Sequence, residues 1–240
     1  MRSTNDHYLF DNEFEKETWI MPFPSPDTLH PVTLPDGTVH KGNVFLKAAI
    51  THPNWEIGVY SYANDFDPPE NPAGWASRLA PYLFPMAKDR LIIGKFCQIA
   101  HDVRFITDGA NHARTGFSTF PFAIHDPDRF ADYPATLPAG RDIRLGHDVW
   151  IGTGARILAG AEIGNGVIIG AGAVVSGKVP DYAIVAGNRA QILRMRFDPE
   201  TIARLNETAW WNWPIEHILQ NEDAIVGRDI ARLIGPTGSA

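Results

Sequence analysis

Aliphatic residues recur at every sixth position along the second half of the chain. The series consists of Leu145, Ile151, Ile157, Ile163, Ile169 and Val175. A second apolar series, mostly of smaller residues, lies two positions earlier and consists of Ile143, Val149, Ala155, Ala161, Val167 and Ala173. A helix repeats its apolar residues at spacings of three and four, and a half-buried strand at two. A period of six instead predicts a parallel β-helix, in which each hexapeptide forms one short strand and one turn.

The same register is present earlier in the chain. Ile93, Ile99 and Phe105 continue the aliphatic series, and Leu91, Cys97 and Val103 continue the smaller one. The dipeptide Ile57-Gly58 fits the same register and indicates that the repeat begins still earlier in the chain. Two stretches without the period interrupt the stack, at 64–90 and 109–142. Because ordering a long loop costs conformational entropy, such excursions are usually functional or disordered.

The two ends of the chain lack the period. Residues 1–54 form an N-terminal extension, in which two β-favouring runs around Pro35-Asp36-Gly37 predict a hairpin. The β-helix is assigned to 55–190, and we expect the stack to end where the register breaks after Val179-Pro180. The segment 191–240 is expected to be helical, with a first helix at 199–208 capped by Asp198 and a second near 214–220. The tryptophans at 210, 211 and 213 are expected to pack against the last coil or a neighbouring subunit.

The composition of the chain argues against several classes of protein. The chain has 240 residues, of which 44% are hydrophobic, and a formal net charge of 21 − 28 = −7. An acidic balance disfavours a nucleic-acid-binding protein, because that function needs a basic face. A single cysteine excludes an intramolecular disulfide framework. With no signal-like start and no apolar run of about 20 residues, we expect no membrane association and a cytoplasmic location.

Few residues are candidates for chemistry. Cys97 stands in the inward series, so an inert buried thiol is expected there. No G-x-S-x-G motif is present, which removes the usual serine-hydrolase nucleophile. Of the nine histidines, His101 and His147 fall at turns of the repeat and are expected to be solvated. His112 stands where the chain leaves the prism, so a rigid stack would hold it at the mouth of a crevice.

Several phrases resemble the xenobiotic acetyltransferases, the family of type B chloramphenicol and streptogramin A (virginiamycin A) O-acetyltransferases. They are Ile57-Gly58-Val59-Tyr60-Ser61-Tyr62, Ile93-Gly94-Lys95-Phe96-Cys97, Gly109-Ala110-Asn111-His112, Ser118-Thr119-Phe120-Pro121-Phe122, Asp148-Val149-Trp150-Ile151-Gly152 and Trp210-Trp211-Asn212-Trp213-Pro214. The resemblance covers roughly 55–220. It implies an all-β fold with a left-handed parallel β-helix, loop excursions and a C-terminal α-helical segment. It also implies a homotrimer with active sites between subunits, and acetyl-CoA as the donor.

The resemblance also assigns roles to residues. His112 matches the general base, and the substrate-binding positions are Tyr62, Tyr82, Asn111 and Trp150. The positions that match the acetyl-CoA contacts are Trp150, Gly154, Ala155, Gly172, Ala173, Lys178, Asn188 and Arg189. Arg189 departs from the family, which usually has proline there. No metal is expected.

These assignments predict direct acetyl transfer to a hydroxyl in a ternary complex, because no activated nucleophile is available for an acyl-enzyme. The acceptor is either an antibiotic of the chloramphenicol or streptogramin A type, or a sugar or nucleotide-sugar. Two other classes share the repeat. One is a zinc lyase of the γ-carbonic anhydrase type, which needs paired histidines at H-x-x-x-x-H that this chain lacks. The other is a non-catalytic solenoid, which would have no affinity for CoA.

Overall fold

Short strands stacked in three sheets form the body of the computed structural model, which describes residues 23–137, 140–233 and 235. The first sheet, in spatial order, contains β1 (Asn43–Phe45), β3 (Tyr62–Asn64), β5 (Gln98–Ile99), β8 (Trp150–Ile151), β11 (Ile168–Ile169), β14 (Ala183–Ala186) and β15 (Gln191–Met195). The second contains β2 (Trp55–Ile57), β4 (Leu91–Ile93), β7 (Ile143–Leu145), β10 (Glu162–Ile163) and β13 (Lys178–Val179). The third contains β6 (Arg104–Ile106), β9 (Arg156–Leu158) and β12 (Val174–Val175).

Neighbouring strands within the stack are parallel and one coil apart. Ile151 pairs with Ile169 and Leu145 pairs with Ile163, so one coil is three hexapeptides. Both apolar series point into the prism: Ile151, Ile157 and Ala155 have no exposed surface. The parallel β-helix predicted from the period is therefore confirmed.

The corners of the prism stack closely. A Cβ atom added to Gly94 would lie 2.1 Å from the carbonyl oxygen of Gly146 in the next coil, and one added to Gly58 would lie 2.5 Å from the carbonyl carbon of Gly94. Glycine is needed at these corners because successive backbones leave no room for a side chain.

The expectation that the stack ends after Pro180 is wrong. The turn between β12 and β13 has only two residues, and Gly177 adopts a φ of +73° there. This shortened turn shifts the register without ending the stack. β14 then continues the first sheet, where Val185 pairs with Ile169. The antiparallel strand β15 then covers the edge of β14, so the first residues of the segment 191–240 form a strand and not, as expected, a helix.

The segments that interrupt or precede the stack have their own local order. An antiparallel bridge between Thr33 and Val39 forms the predicted hairpin, and β1 pairs antiparallel with β3 at the base. The part of the N-terminal extension at 1–22 lies outside the described residues. The short helices in this part of the chain are α1 (Leu46–Ala49), α2 (Trp75–Leu79) and α3 (Tyr133–Thr136), of which α2 and α3 belong to the two excursions.

The C-terminal helices are α4 (Pro199–Thr208), α5 (Ile215–Gln220) and α6 (Glu222–Val226). The side chain of Asp198 accepts a hydrogen bond from the Thr201 N–H at 2.9 Å, which caps α4 as predicted. Within the described residues, no helix has the length and apolar character needed to cross a membrane.

Within its own chain the tryptophan cluster packs against the middle coils and not against the last coil, which was one of the two positions expected. Trp211 stacks on the ring of His147 at 5.2 Å and 14°, and Trp210 lies 5.1 Å from the ring of Phe96. The expectation of a solvated His147 is therefore also wrong. Its Nδ1 accepts the Lys95 N–H at 2.9 Å, which leaves the proton of the neutral ring on Nε2.

The free energy of unfolding is expected to decrease as the pH is lowered, because of His147 in this cluster. Burial, with a smaller effect of Lys95, lowers the pKa of His147 below its ordinary value of 6.5. The unfolded chain therefore binds the proton more readily, and the contribution of this histidine is lost as the pH falls below about 6.5, by at most about 1.4 kcal/mol for each pH unit. Urea unfolding of the wild type and His147→Asn between pH 7.5 and 5.5 measures the difference. Equal pH slopes for the two proteins would contradict this role.

Candidate functional site

His112 lies where the chain leaves the third sheet. After β6, one turn of 3₁₀ helix at Asp108–Ala110 directs the chain outward, and the His112 side chain is exposed. Its Nδ1 is 2.8 Å from the carbonyl oxygen of Thr119. Because a carbonyl oxygen only accepts, Nδ1 carries the proton and Nε2 keeps its lone pair. The ring is thus held in the tautomer that can accept a proton at its exposed nitrogen.

A buried carboxylate joins the two ends of the second excursion beside this histidine. Asp108, with 3% of its side chain exposed, accepts hydrogen bonds from Nη2, Nε and the backbone N–H of Arg141 at 2.8, 3.0 and 2.9 Å. It also accepts one from Nδ2 of Asn111 at 3.0 Å. Burial alone would raise the pKa of Asp108, but the hydrogen bonds and charge of Arg141 outweigh it and keep the pKa below its ordinary value.

Tyr82 comes to the same corner from the first excursion. A Cβ atom added to Gly109 would lie 2.3 Å from the carbonyl oxygen of Tyr82, so glycine permits this approach. The Tyr82 side chain is 42% exposed. The structure thus brings Tyr82, Asn111 and His112 to one place, which we call the His112 corner.

Tyr62 and Trp150 lie elsewhere, in the wall of a cavity of about 290 Å³ on the first sheet. Trp150 has 51% of its surface exposed. The residues that line this first-sheet cavity are Asn43, Tyr62, Asn64, Phe66, Gln98, Ile99, Ala100, His101, Trp150 and Thr153. No residue of the His112 corner is among them. The predicted acceptor-binding residues therefore fall into two groups at different corners of the prism.

His101 is not the solvated turn residue expected from the sequence. Its Nδ1 lies 2.6 Å from Oδ1 of Asp65, which is 3% exposed and is also bound by Nε of Arg78 at 3.0 Å. Burial alone would raise the pKa of Asp65, but hydrogen bonds led by that of Arg78 lower it overall. The sequence carried no signal for this contact, because Asp65 belongs to the first excursion, outside the repeat, and lies 36 residues before His101.

Most of the residues matched to the acetyl-CoA contacts lie along one corner of the C-terminal coils of the prism. Gly154 and Gly172 adopt φ values of +72° and +67°, and a Cβ atom on either would meet nothing within 4 Å. Asn188 and Arg189 lie in the turn between β14 and β15. Lys178 is on the second sheet, where its Nζ pairs with Glu162 Oε2 at 3.0 Å.

Two of the residues matched to the acetyl-CoA contacts have no solvent-exposed surface that a ligand could contact. Ala155 and Ala173 are fully buried. Their N–H groups donate to Gly152 and Gly170, and their carbonyl oxygens accept from Arg104 and Arg156. Both therefore act as core residues of the prism and are left out of the contacts proposed below.

The thiol of Cys97 is buried, as expected. Burial raises its pKa to about 12, so the nucleophilic thiolate is not populated at neutral pH. Among the described side chains, no group of three or more histidine, cysteine or acidic residues is placed to hold a metal ion.

Comparison with known proteins places these features in a family. The family model described as bacterial transferase hexapeptide (six repeats) matches residues 142–177. A chloramphenicol acetyltransferase of Agrobacterium fabrum is 37% identical over 79% of this chain and 90% of its own length. A virginiamycin A acetyltransferase of Staphylococcus aureus is 36% identical over 88% of this chain and 92% of its own length.

Among solved structures, a hexapeptide-repeat-containing acetyltransferase from Vibrio cholerae aligns with 45% of this chain and 53% of its own, at 26% identity and a TM-score of 0.34. The family assignment rests on the two sequence relatives, which align over nearly their whole lengths. The chain therefore belongs to the hexapeptide-repeat acetyltransferases that include the chloramphenicol and virginiamycin A acetyltransferases.

Proposed function

We propose that this protein transfers the acetyl group of acetyl-CoA to a hydroxyl of an antibiotic of the chloramphenicol or streptogramin A type. The observation that carries the proposal is the match to relatives bearing those names over about nine-tenths of their length. The exposed His112, whose neutral ring can accept a proton at Nε2, supplies the group that this chemistry needs. Acetyl-CoA is a cytoplasmic metabolite, so the reaction is assigned to the cytoplasm.

In the proposed reaction, Nε2 of His112 takes the proton of the acceptor hydroxyl while its oxygen attacks the thioester carbonyl. The tetrahedral intermediate then collapses, the C–S bond breaks, and the leaving CoA sulfur takes the proton from the imidazolium. General base catalysis of this kind contributes about 10²–10⁴-fold. Transfer is direct in a ternary complex, because the chain's one thiol is buried and protonated.

The donor is proposed to lie along the corner formed by Gly154 and Gly172. The absence of side chains at these positive-φ turns leaves room for an extended ligand arm against the backbone. Asn188, Arg189 and Lys178 are proposed to bind the polar end of CoA, and Trp150 to flank the acyl group.

The active site is proposed to be completed in a homotrimer. In one chain the His112 corner lies where the third sheet ends, whereas Tyr62 and Trp150 line a cavity on the first sheet. Two copies packed side by side can bring the His112 corner of one against the first-sheet cavity of the other. Size-exclusion chromatography with light scattering is expected to give about three times the mass of the 26.6 kDa chain.

An assay of CoA thiol release with chloramphenicol, a streptogramin A compound and simple sugars tests the proposed acceptor class. We expect turnover with at least one antibiotic and sequential kinetics, in which no CoA is released before the acceptor is added. Turnover with sugars alone would favour the second candidate, a sugar or nucleotide-sugar acetyltransferase. The first-sheet cavity allows that candidate, because its aromatic and amide side chains also suit a sugar ring.

A further inference from the structure

Aromatic and polar side chains together line the first-sheet cavity. Tyr62, Phe66 and Trp150 provide the aromatic surface. The polar side chains are those of Asn43, Asn64, Gln98, His101 and Thr153. The lining includes no lysine, arginine, aspartate or glutamate, so the cavity suits an uncharged ligand with a flat apolar part and several hydrogen-bonding groups.

His101 has a defined orientation in this cavity. Its Nδ1 lies 2.6 Å from a carboxylate oxygen of Asp65 and 3.3 Å from the backbone nitrogen of Phe66. The shorter contact, to a charged acceptor, is the stronger one, so Nδ1 carries a proton and donates it to Asp65. Asp65 is itself held by two hydrogen bonds from Arg78, at 3.0 and 3.1 Å. In the neutral ring, Nε2 is therefore a hydrogen-bond acceptor, and it is the polar atom that His101 can present to the cavity.

Hydrogen bonds also orient two neighbouring side-chain amides, and in each amide they engage only one of the two polar atoms. Asn64 Oδ1 accepts from Nε2 of His40 at 3.1 Å, which leaves its Nδ2 as a donor. Gln98 Nε2 donates to Phe96 and Asp148, which leaves its Oε1 as an acceptor. Asn43 is 8% exposed and its Oδ1 is buried, so we leave this atom out of the groups that a ligand can reach. The polar side chains thus offer acceptors on His101 and Gln98 and a donor on Asn64, and the two acceptors suit a ligand that carries O–H or N–H donors.

We propose that His101 is a specificity-determining residue, whose Nε2 accepts a hydrogen bond from a hydroxyl or amide N–H of an uncharged acceptor lying against Tyr62 and Trp150. The inference rests on the proposed function, since it assigns this cavity to the acceptor. The first excursion supports the histidine in this role, because it supplies Asp65, Phe66 and Arg78, which fix the ring and cover one side of it.

Chloramphenicol is a suitable probe, because it is uncharged and carries an aromatic ring, two hydroxyls and an amide. Its dissociation constant is measured by calorimetry on the full-length wild type, His101→Phe, His101→Ala and His101→Gln. We expect about tenfold weaker binding for the Phe and Ala variants, as for one lost hydrogen bond. The Gln variant keeps an acceptor and is expected to stay within about threefold of the wild type.

His52→Gln is the matched control, because its ring accepts a hydrogen bond from the N–H of Asn54 within its own turn and is not among the residues that line the cavity. It should bind chloramphenicol as the wild type does, and the KM for acetyl-CoA should be unchanged in all variants. An unchanged dissociation constant in both His101→Phe and His101→Ala overturns the inference. So does the absence of chloramphenicol binding by the wild type at millimolar concentration.

The thiol-release assay on the same proteins keeps the two proposals separate. A wild type that acetylates an antibiotic, with His101 variants that bind chloramphenicol unchanged, refutes the role of His101 and leaves the proposed function standing. A wild type that binds chloramphenicol through His101 but acetylates no antibiotic refutes the proposed function alone.

Discussion

Replacing His112 by alanine is expected to lower the rate of acetyl transfer at least about 100-fold. The reason is the loss of Nε2, the one ring nitrogen of His112 that its bond to Thr119 leaves free to take a proton. The effect should fall on kcat, with little change in the KM for acetyl-CoA, because the donor is proposed to lie along another corner. Thiol-release kinetics at saturating acetyl-CoA measure both constants.

His125→Ala is the matched control for this experiment. His125 lies in the same excursion and stacks on Phe120 at 5.3 Å, so its loss tests for a general disturbance of the loop. It should retain at least about half of the wild-type rate, in keeping with a small surface effect. A His112→Ala protein with full activity would remove this residue from the mechanism.

Replacing Asp108 by alanine is expected to lower both stability and activity. The carboxylate is nearly buried and joins Arg141 and Asn111, so its removal leaves three N–H groups of Arg141 and the Asn111 amide without their acceptor. We expect a loss of about 2–3 kcal/mol in the free energy of unfolding, reduced by the exposure of Arg141. Because His112 follows this anchor directly, a small displacement should also lower kcat by about 10–100-fold. Urea unfolding and thiol release measure the two effects.

Lowering the pH should reduce the stability of the protein in the same way as Asp108→Ala, because it protonates the Asp108 carboxylate. The folded-state pKa of Asp108 is depressed, so its contribution is fully present above the ordinary carboxyl range and is lost as the pH falls through the folded value, below about 4. Asp126→Ala is the control, since its pair with Arg129 at 2.6 Å is on the surface, where solvent screens it, and should contribute less than the buried Asp108 does. Equal stability losses in the two variants would argue against a special role for Asp108.

The backbone of the site was predictable to a large extent. The hexapeptide period placed the strands, and it predicted that Cys97 points inward and that both excursions leave the prism. These follow from local spacing, because a residue's position within a six-residue repeat decides whether it faces the core. The helix at 199–208 was predictable for a similar reason, since Asp198 and Pro199 are start signals that act within one turn.

Predictions made from the repeat were wrong where a residue is contacted by segments outside the repeat. His101 and His147 occupy similar turn positions, yet one is bound by Asp65 from the first excursion and the other is covered by Trp211 from the C-terminal helices. The stack also continued past Pro180, because a shortened turn can still return the chain to the same sheet.

Local spacing is enough to predict the three-sided body, the inward-facing series and the family, because each depends on residues a few positions apart in the chain. Two polar contacts, of Asp108 with Arg141 and of Asp65 with His101, could be read only from the folded chain. These partners are 33 and 36 residues apart along the chain, and each pair includes a residue of an excursion. Such contacts depend on how irregular loops fold back onto a rigid stack, and no period in the sequence encodes that.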